Sequence, residues 1–167
     1  MGRFSSSHEI PENMKDTINA CAVGLGFVGI PGGILGPGAD LVVIAPTWVG
    51  MTVALADQAG HAMSKQTAKK IALAVAAGGG AFAGGTKIAS TAIGWLAAPF
   101  TLGASLAISA AANAGLNASF TYAYGRAAAR YFLQTREIDN IEVMVGVLIA
   151  LIGADLGFNT EYDHLIS

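Results

Sequence analysis

"CAVGLGFVGIPGG", residues 21–33, decides between two folds. Its Gly24-x-Gly26-x-x-Gly29 spacing is that of a dinucleotide-binding loop, and therefore of an α/β protein. Such a loop needs a strand before it, a helix after it and an acid about 20 residues on. Here the preceding residues have helical spacing, through Met14, Ile18 and Cys21. Pro31, Gly32, Gly33 and Pro37 oppose the helix whose N-terminus would hold a pyrophosphate. Asp40 follows a second glycine-proline turn, and no strand-helix-strand repeat comes after it. The glycine spacing is an accident of composition, and the chain reads as all-α with no cofactor.

Composition points the same way. Of 167 residues only 12% are charged, against 53% hydrophobic, with 22 glycines and a net charge of −2. That charged share is about half of what a soluble domain carries. The mean hydropathy is +0.55. No basic field argues for nucleic acid. Cys21 has no second cysteine to pair with and reads as an inert thiol. The start, "MGRFSSSHEIPENMKD", is polar and lacks the basic start and apolar run of a signal peptide. This places the chain in the cytoplasm or at the cytoplasmic membrane.

Punctuation along the chain predicts a hydrophobic bundle of about five helices, packed through small residues. The first starts at Pro11 and should fail between Gly29 and Gly38, in "GIPGGILGPG". Asp40 caps a helix from Leu41 to about Ala62, and Ser64 caps one from Lys65 to about Lys87. A break near Pro99 precedes one long helix, about 101–134. The last begins at an Asp139–Glu142 capping box and presents Ile141, Val145, Leu148, Ile152 and Leu156 on one face. Residues 1–10 read as a flexible polar start, 11–158 as a single helical domain and 159–167 as a polar tail. No segment alternates like a strand.

Four features stand out as candidate sites. Gly80 and Gly84, and again Gly153 and Gly157, have the small-xxx-small spacing that lets helices approach closely. Ser105, Ser109, Asn113, Asn117 and Thr121 recur every fourth residue as a polar stripe on the long helix. That stripe serves either interhelical hydrogen bonding or a wetted pore lining. Lys65, Lys69 and Lys70 at one helix start, and Arg126 and Arg130 near another's end, suit contact with anionic lipid, with tyrosines beside the arginines. Catalytic patterns are absent: Asp57 and His61 share a helix face without a third metal ligand, no GxSxG occurs, and "GGTK" (84–87) is not a phosphate loop. The chain reads as no enzyme.

"GPGADL" (36–41), "ALADQAGHAMSKQTAKKIA" (54–72) and "NASFTYAYGRAAARYF" (117–132) together resemble the YcjF-like hydrophobic helical domain. Pro37, Gly38 and Asp40 match its opening turn. Gly60 matches its helix-glycine-helix centre, and Thr121, Tyr122, Ala123, Gly125 and Arg126 match its ending. The resemblance covers roughly residues 36–135. It implies membrane association and a GTPase partner, and brings no catalytic residues. The functional expectation is a non-enzymatic, membrane-associated homo-oligomer built on Gly/Ala-rich faces. The alternatives are a soluble closed assembly that buries its apolar helices between subunits, and a pore-forming or toxin-like protein that uses the polar stripe.

Overall fold

The computed structural model describes residues 3–35, 41–76, 104–138 and 140–167. Within them the protein is all-helical. Helix α1 spans Glu12–Leu35, α2 Leu41–Gln58, α3 residues 65–76, α4 Ala104–Gln134 and α5 Ile141–Leu156. A single turn of 3-10 helix, Asp163–Leu165, follows. No strand occurs among the described residues; the nearest thing is one isolated parallel bridge between Phe4 and Ile166.

The first helix ends at Leu35, inside the Gly29–Gly38 stretch where its sequence predicts a break, but only after passing through the first proline and its glycines. α1 opens on the Pro11 carbonyl, which accepts from Met14 N–H and Lys15 N–H, both at 3.1 Å. It then continues through Gly29, Pro31, Gly32 and Gly33 to Leu35. An interior proline costs about 3 kcal/mol and each glycine up to about 1 kcal/mol relative to alanine. Tertiary packing overrides those penalties: α1 lies antiparallel along α4, its principal neighbour. Met14, Ile18, Ala22 and Leu25 form its buried face.

The other boundaries shift for local reasons. α2 stops at Gln58 rather than near Ala62, because Gly60 takes a left-handed φ of 82°. His61 N–H then reaches back to the Ala56 carbonyl at 2.9 Å, closing the helix end. Ser64 does cap the next helix, its Oγ accepting from Thr67 N–H at 3.0 Å. The cap of α5 is Asn140, whose Oδ1 accepts from Glu142 N–H and Val143 N–H; Asp139 lies outside the described residues. Nor does α5 bury one stripe. Met144 and every residue from Gly146 to Gly153 are buried, while Ile141, Val145 and Leu156 of the predicted face are half-buried.

α2 runs parallel to α4, and a polar network locks the two in register. Trp48 Nε1 donates to Thr121 Oγ1 at 3.0 Å, and Thr52 Oγ1 is hydrogen-bonded to both the Trp48 carbonyl and the Tyr124 hydroxyl. The Trp48 and Tyr124 rings stack at 4.3 Å. Gly125 sits where α1, α2 and α4 meet. A Cβ there would lie 2.9 Å from two carbons of Ile18 and 3.1 Å from Met51 Sδ. The two chain ends, marked polar by sequence, meet each other: Phe4 N–H donates to the Leu165 carbonyl and Ser167 N–H to that of Phe4. Phe4 also stacks on Tyr131 of α4 at 5.0 Å.

Substituting two glycines of α4 should therefore give opposite signs. Gly125→Ala should lower unfolding stability by about 1–2 kcal/mol through overpacking against Ile18. Gly115, exposed with nothing within 4 Å of its absent Cβ, should gain up to about 1 kcal/mol as alanine. Urea denaturation of both variants provides the check.

Candidate functional site

Among the described residues of α1 to α4, charge is sorted along the helices. α1 carries charged residues only at Glu12, Lys15 and Asp16, α2 only at Asp57, α3 only at Lys65, Lys69 and Lys70, and α4 only at Arg126 and Arg130. The antiparallel and parallel pairings bring these positions to one end. Gln58 Nε2 donates to Thr17 Oγ1 at 3.0 Å, and His61 Nε2 is 2.9 Å from the Phe132 carbonyl. Away from that end, the outward positions of the helices are Ala20, Val23 and Gly24 on α1, Leu73, Ala74 and Ala76 on α3, and Ala111 and Gly115 on α4. Asn19 and Ser119 are the polar exceptions on α1 and α4. Val23 is 61% exposed and Leu73 49%. An ordinary surface helix places charged side chains at such positions.

A cleft of about 300 Å³ opens where the charges begin. Its rim is the N-terminal segment Ser7–Ile10, and its walls are Lys15 and Ile18 of α1 with Tyr122, Arg126 and Arg130 of α4. Arg130 is only 5% exposed. Its Nη1 donates to Asp155 Oδ1 of α5 at 2.8 Å, and Arg126 Nε lies 3.2 Å from Asp155 Oδ2. Two guanidinium groups thus share one carboxylate. Arg130 Nε is buried with no hydrogen-bond partner. The Arg126 guanidinium lies 5.5 Å from the Tyr122 ring centroid, in cation–π contact.

The sequence-predicted residues divide accordingly. Arg130 is almost wholly buried in its ion pair with Asp155 and touches the outside only through the cleft, whereas Arg126 is partly open and Lys65, Lys69 and Lys70 are exposed. Asn117 and Thr121 of the polar stripe are buried, and Thr121 accepts the Trp48 hydrogen bond, so this part of the stripe joins helices. Ser105, Ser109 and Asn113 belong to the same helix, their side chains outside the described residues. Gly153 and Gly157 do not pack helix on helix. Gly157 is the left-handed C-cap of α5, with φ 78°, and its N–H and that of Phe158 both reach the Gly153 carbonyl. A Cβ on Gly153 would lie 2.7 Å from the Phe158 carbonyl oxygen, so this glycine admits the returning chain. Gly80 and Gly84 lie outside the described residues, as do Pro37, Gly38 and Asp40.

Chemistry is sparse elsewhere. Among the described residues no group of three His, Cys, Asp or Glu side chains could hold a metal ion. Burial pushes the Cys21 thiol up, which disfavours its thiolate. Sequence reasoning missed Asp155 as the partner of the two arginines. The i, i+4 spacing of Arg126 and Arg130, which puts both on one helix face, was the available signal. No family model, curated protein or solved structure matches the chain.

Two measurements probe this region. Asp155→Asn leaves the buried Arg130 without a counter-charge and should cost about 3 kcal/mol in chemical denaturation. Burial pushes the Tyr124 hydroxyl from 10.0 up to about 12, its bond to Thr52 only partly opposing that. The unfolded state therefore ionises first, and stability should fall as pH rises from 10.0 through about 12. Tyr124→Phe should remove this contribution, as alkaline unfolding curves will register.

Proposed function

We propose that this protein is a non-enzymatic, membrane-associated helical protein that self-assembles through small outward helix faces. The observation that carries the reading is the sorting of charge to one end of the bundle. The charge-free lengths support it. Residues 17–35 of α1 extend about 28 Å and residues 104–125 of α4 about 33 Å at ~1.5 Å per residue, close to the ~30 Å of a bilayer's hydrocarbon layer. These helices are rich in alanine, glycine and serine, and among the described residues none is long and apolar enough to cross a membrane. Entry is therefore as a bundle, with Asn117 and Thr121 turned inward and the charged end left at the headgroups. Lys65, Lys69, Lys70 and Arg126 would then meet anionic lipid at about 1 kcal/mol each.

A second reading draws on the glycines. Gly24 and Gly115 face outward with open space beside them, next to Ala20 and Ala111. Such faces let another copy's backbone approach closely. In this soluble assembly the same uncharged helix faces are covered by sister subunits instead of lipid.

Membranes from cells making the chain, washed at alkaline pH and floated on a density gradient, separate the two. The first reading predicts flotation with lipid, the second a large soluble species free of detergent. Gly24→Leu with Gly115→Leu should leave the helical circular-dichroism signal intact and reduce the assembled mass, read by light scattering. An unchanged mass would remove the self-assembly claim.

A further inference from the structure

We propose that the cleft between Ser7–Ile10, α1 and α4 binds a phosphate group. The charge balance of its wall is the first reason. Arg126 and Arg130 together face one carboxylate, Asp155, which leaves one positive charge in a partly buried wall. Lys15 faces them across the opening. Its partner Glu12 is three residues away on the same exposed helix face, at 3.1 Å. Such exposed pairs hold by less than about 1 kcal/mol and release the ammonium readily. Glu9 is the one acid in the lining, and it is exposed at the rim beside His8.

Donor geometry is the second reason. The cleft gathers the Arg126 guanidinium in cation–π contact with Tyr122, a lysine ammonium and Ser7, whose hydroxyl also pairs with that of Ser5, with a second guanidinium behind whose Nε has no partner. A phosphate offers several strong acceptor oxygens and matches a forked guanidinium donor better than a single-point acceptor does. Tyr122 and Ile18 supply an apolar side for whatever carries the phosphate. The volume is at the small end of ligand pockets, enough for a phosphate and a few attached atoms. This site stands on its own geometry and does not depend on which surface covers the charge-free end.

The test uses the full purified chain, in detergent where it requires one. Thermal unfolding is followed with and without inorganic phosphate for wild type, Arg126→Gln, Lys15→Gln and a Lys65→Gln/Lys69→Gln/Lys70→Gln control. Phosphate should raise the wild-type and control midpoints. It should bind Arg126→Gln and Lys15→Gln about tenfold more weakly, the loss expected for one charged hydrogen bond. General salting-out raises all four alike and would overturn the site, as would no shift at all, or a shift lost only in the lysine control. Arg126→Gln also loses part of its bond to Asp155, so unchanged circular dichroism is required of it, and Lys15→Gln decides if that fails. Vesicles of phosphatidylcholine with and without phosphatidylglycerol then identify the source. A preference for phosphatidylglycerol that survives in the triple-lysine control and is removed when Lys15→Gln is added to it assigns the phosphate to a lipid headgroup; a phosphate shift without that surviving preference assigns it to a soluble phosphate ester.

Discussion

Everything in this bundle hangs on how closely α4 lets its neighbours approach at Gly125. With no side chain there, Ile18 of α1 and Met51 of α2 both reach the α4 backbone. Within the turn before it, the same helix offers Thr121 and Tyr124 to Trp48 and Thr52. The glycine sets the distance, and the hydrogen bonds set the register. Around α4 the core includes Ala123, Ala127, Ala128 and Ala129, and across such small residues apolar packing alone specifies register poorly, because one alanine layer fits much like the next. A buried polar pair that is satisfied in only one alignment removes that degeneracy. The small residues and the polar stripe are therefore two halves of one packing solution.

That solution explains which parts of the fold were legible in the sequence. The all-helical class, the long α4 and the Ser64 cap follow from local spacing and cap chemistry, which act within a turn. The passage of α1 through "GIPGG" does not, because its cause is α4, more than 70 residues away in the chain. Local penalties of a few kcal/mol were correctly present in the sequence and were outweighed by a partner that local spacing does not reveal. The end of α2 differs the other way: Gly60 takes a left-handed cap and stops the helix short of Ala62.

The candidate site shows the same division. Lys65, Lys69 and Lys70, expected at anionic lipid, are exposed. Arg126 and Arg130 looked equivalent to them in sequence. Asp155, on another helix, makes them different by drawing Arg130 into the interior. Likewise Gly153 and Gly157 share the spacing of a helix-packing motif, yet the turn that follows α5 uses both. A four-residue glycine interval describes helix packing and helix termination equally well, and only the next few residues' path decides.

The sorting of charge has a physical consequence beyond solubility. Val23 and Leu73 expose apolar atoms on helices whose inner faces pack into the core. On the proposed reading, lipid or another copy covers them. A bundle held in lipid in that way would have its orientation set by the charged end, because turning it over would carry Lys15, Arg126 and Asp57 into the apolar phase at a cost of roughly 2.5–3.5 kcal/mol for each such charge. The proposed phosphate cleft, lined by Tyr122 on one side and Lys15 on the other, would then lie where headgroups sit.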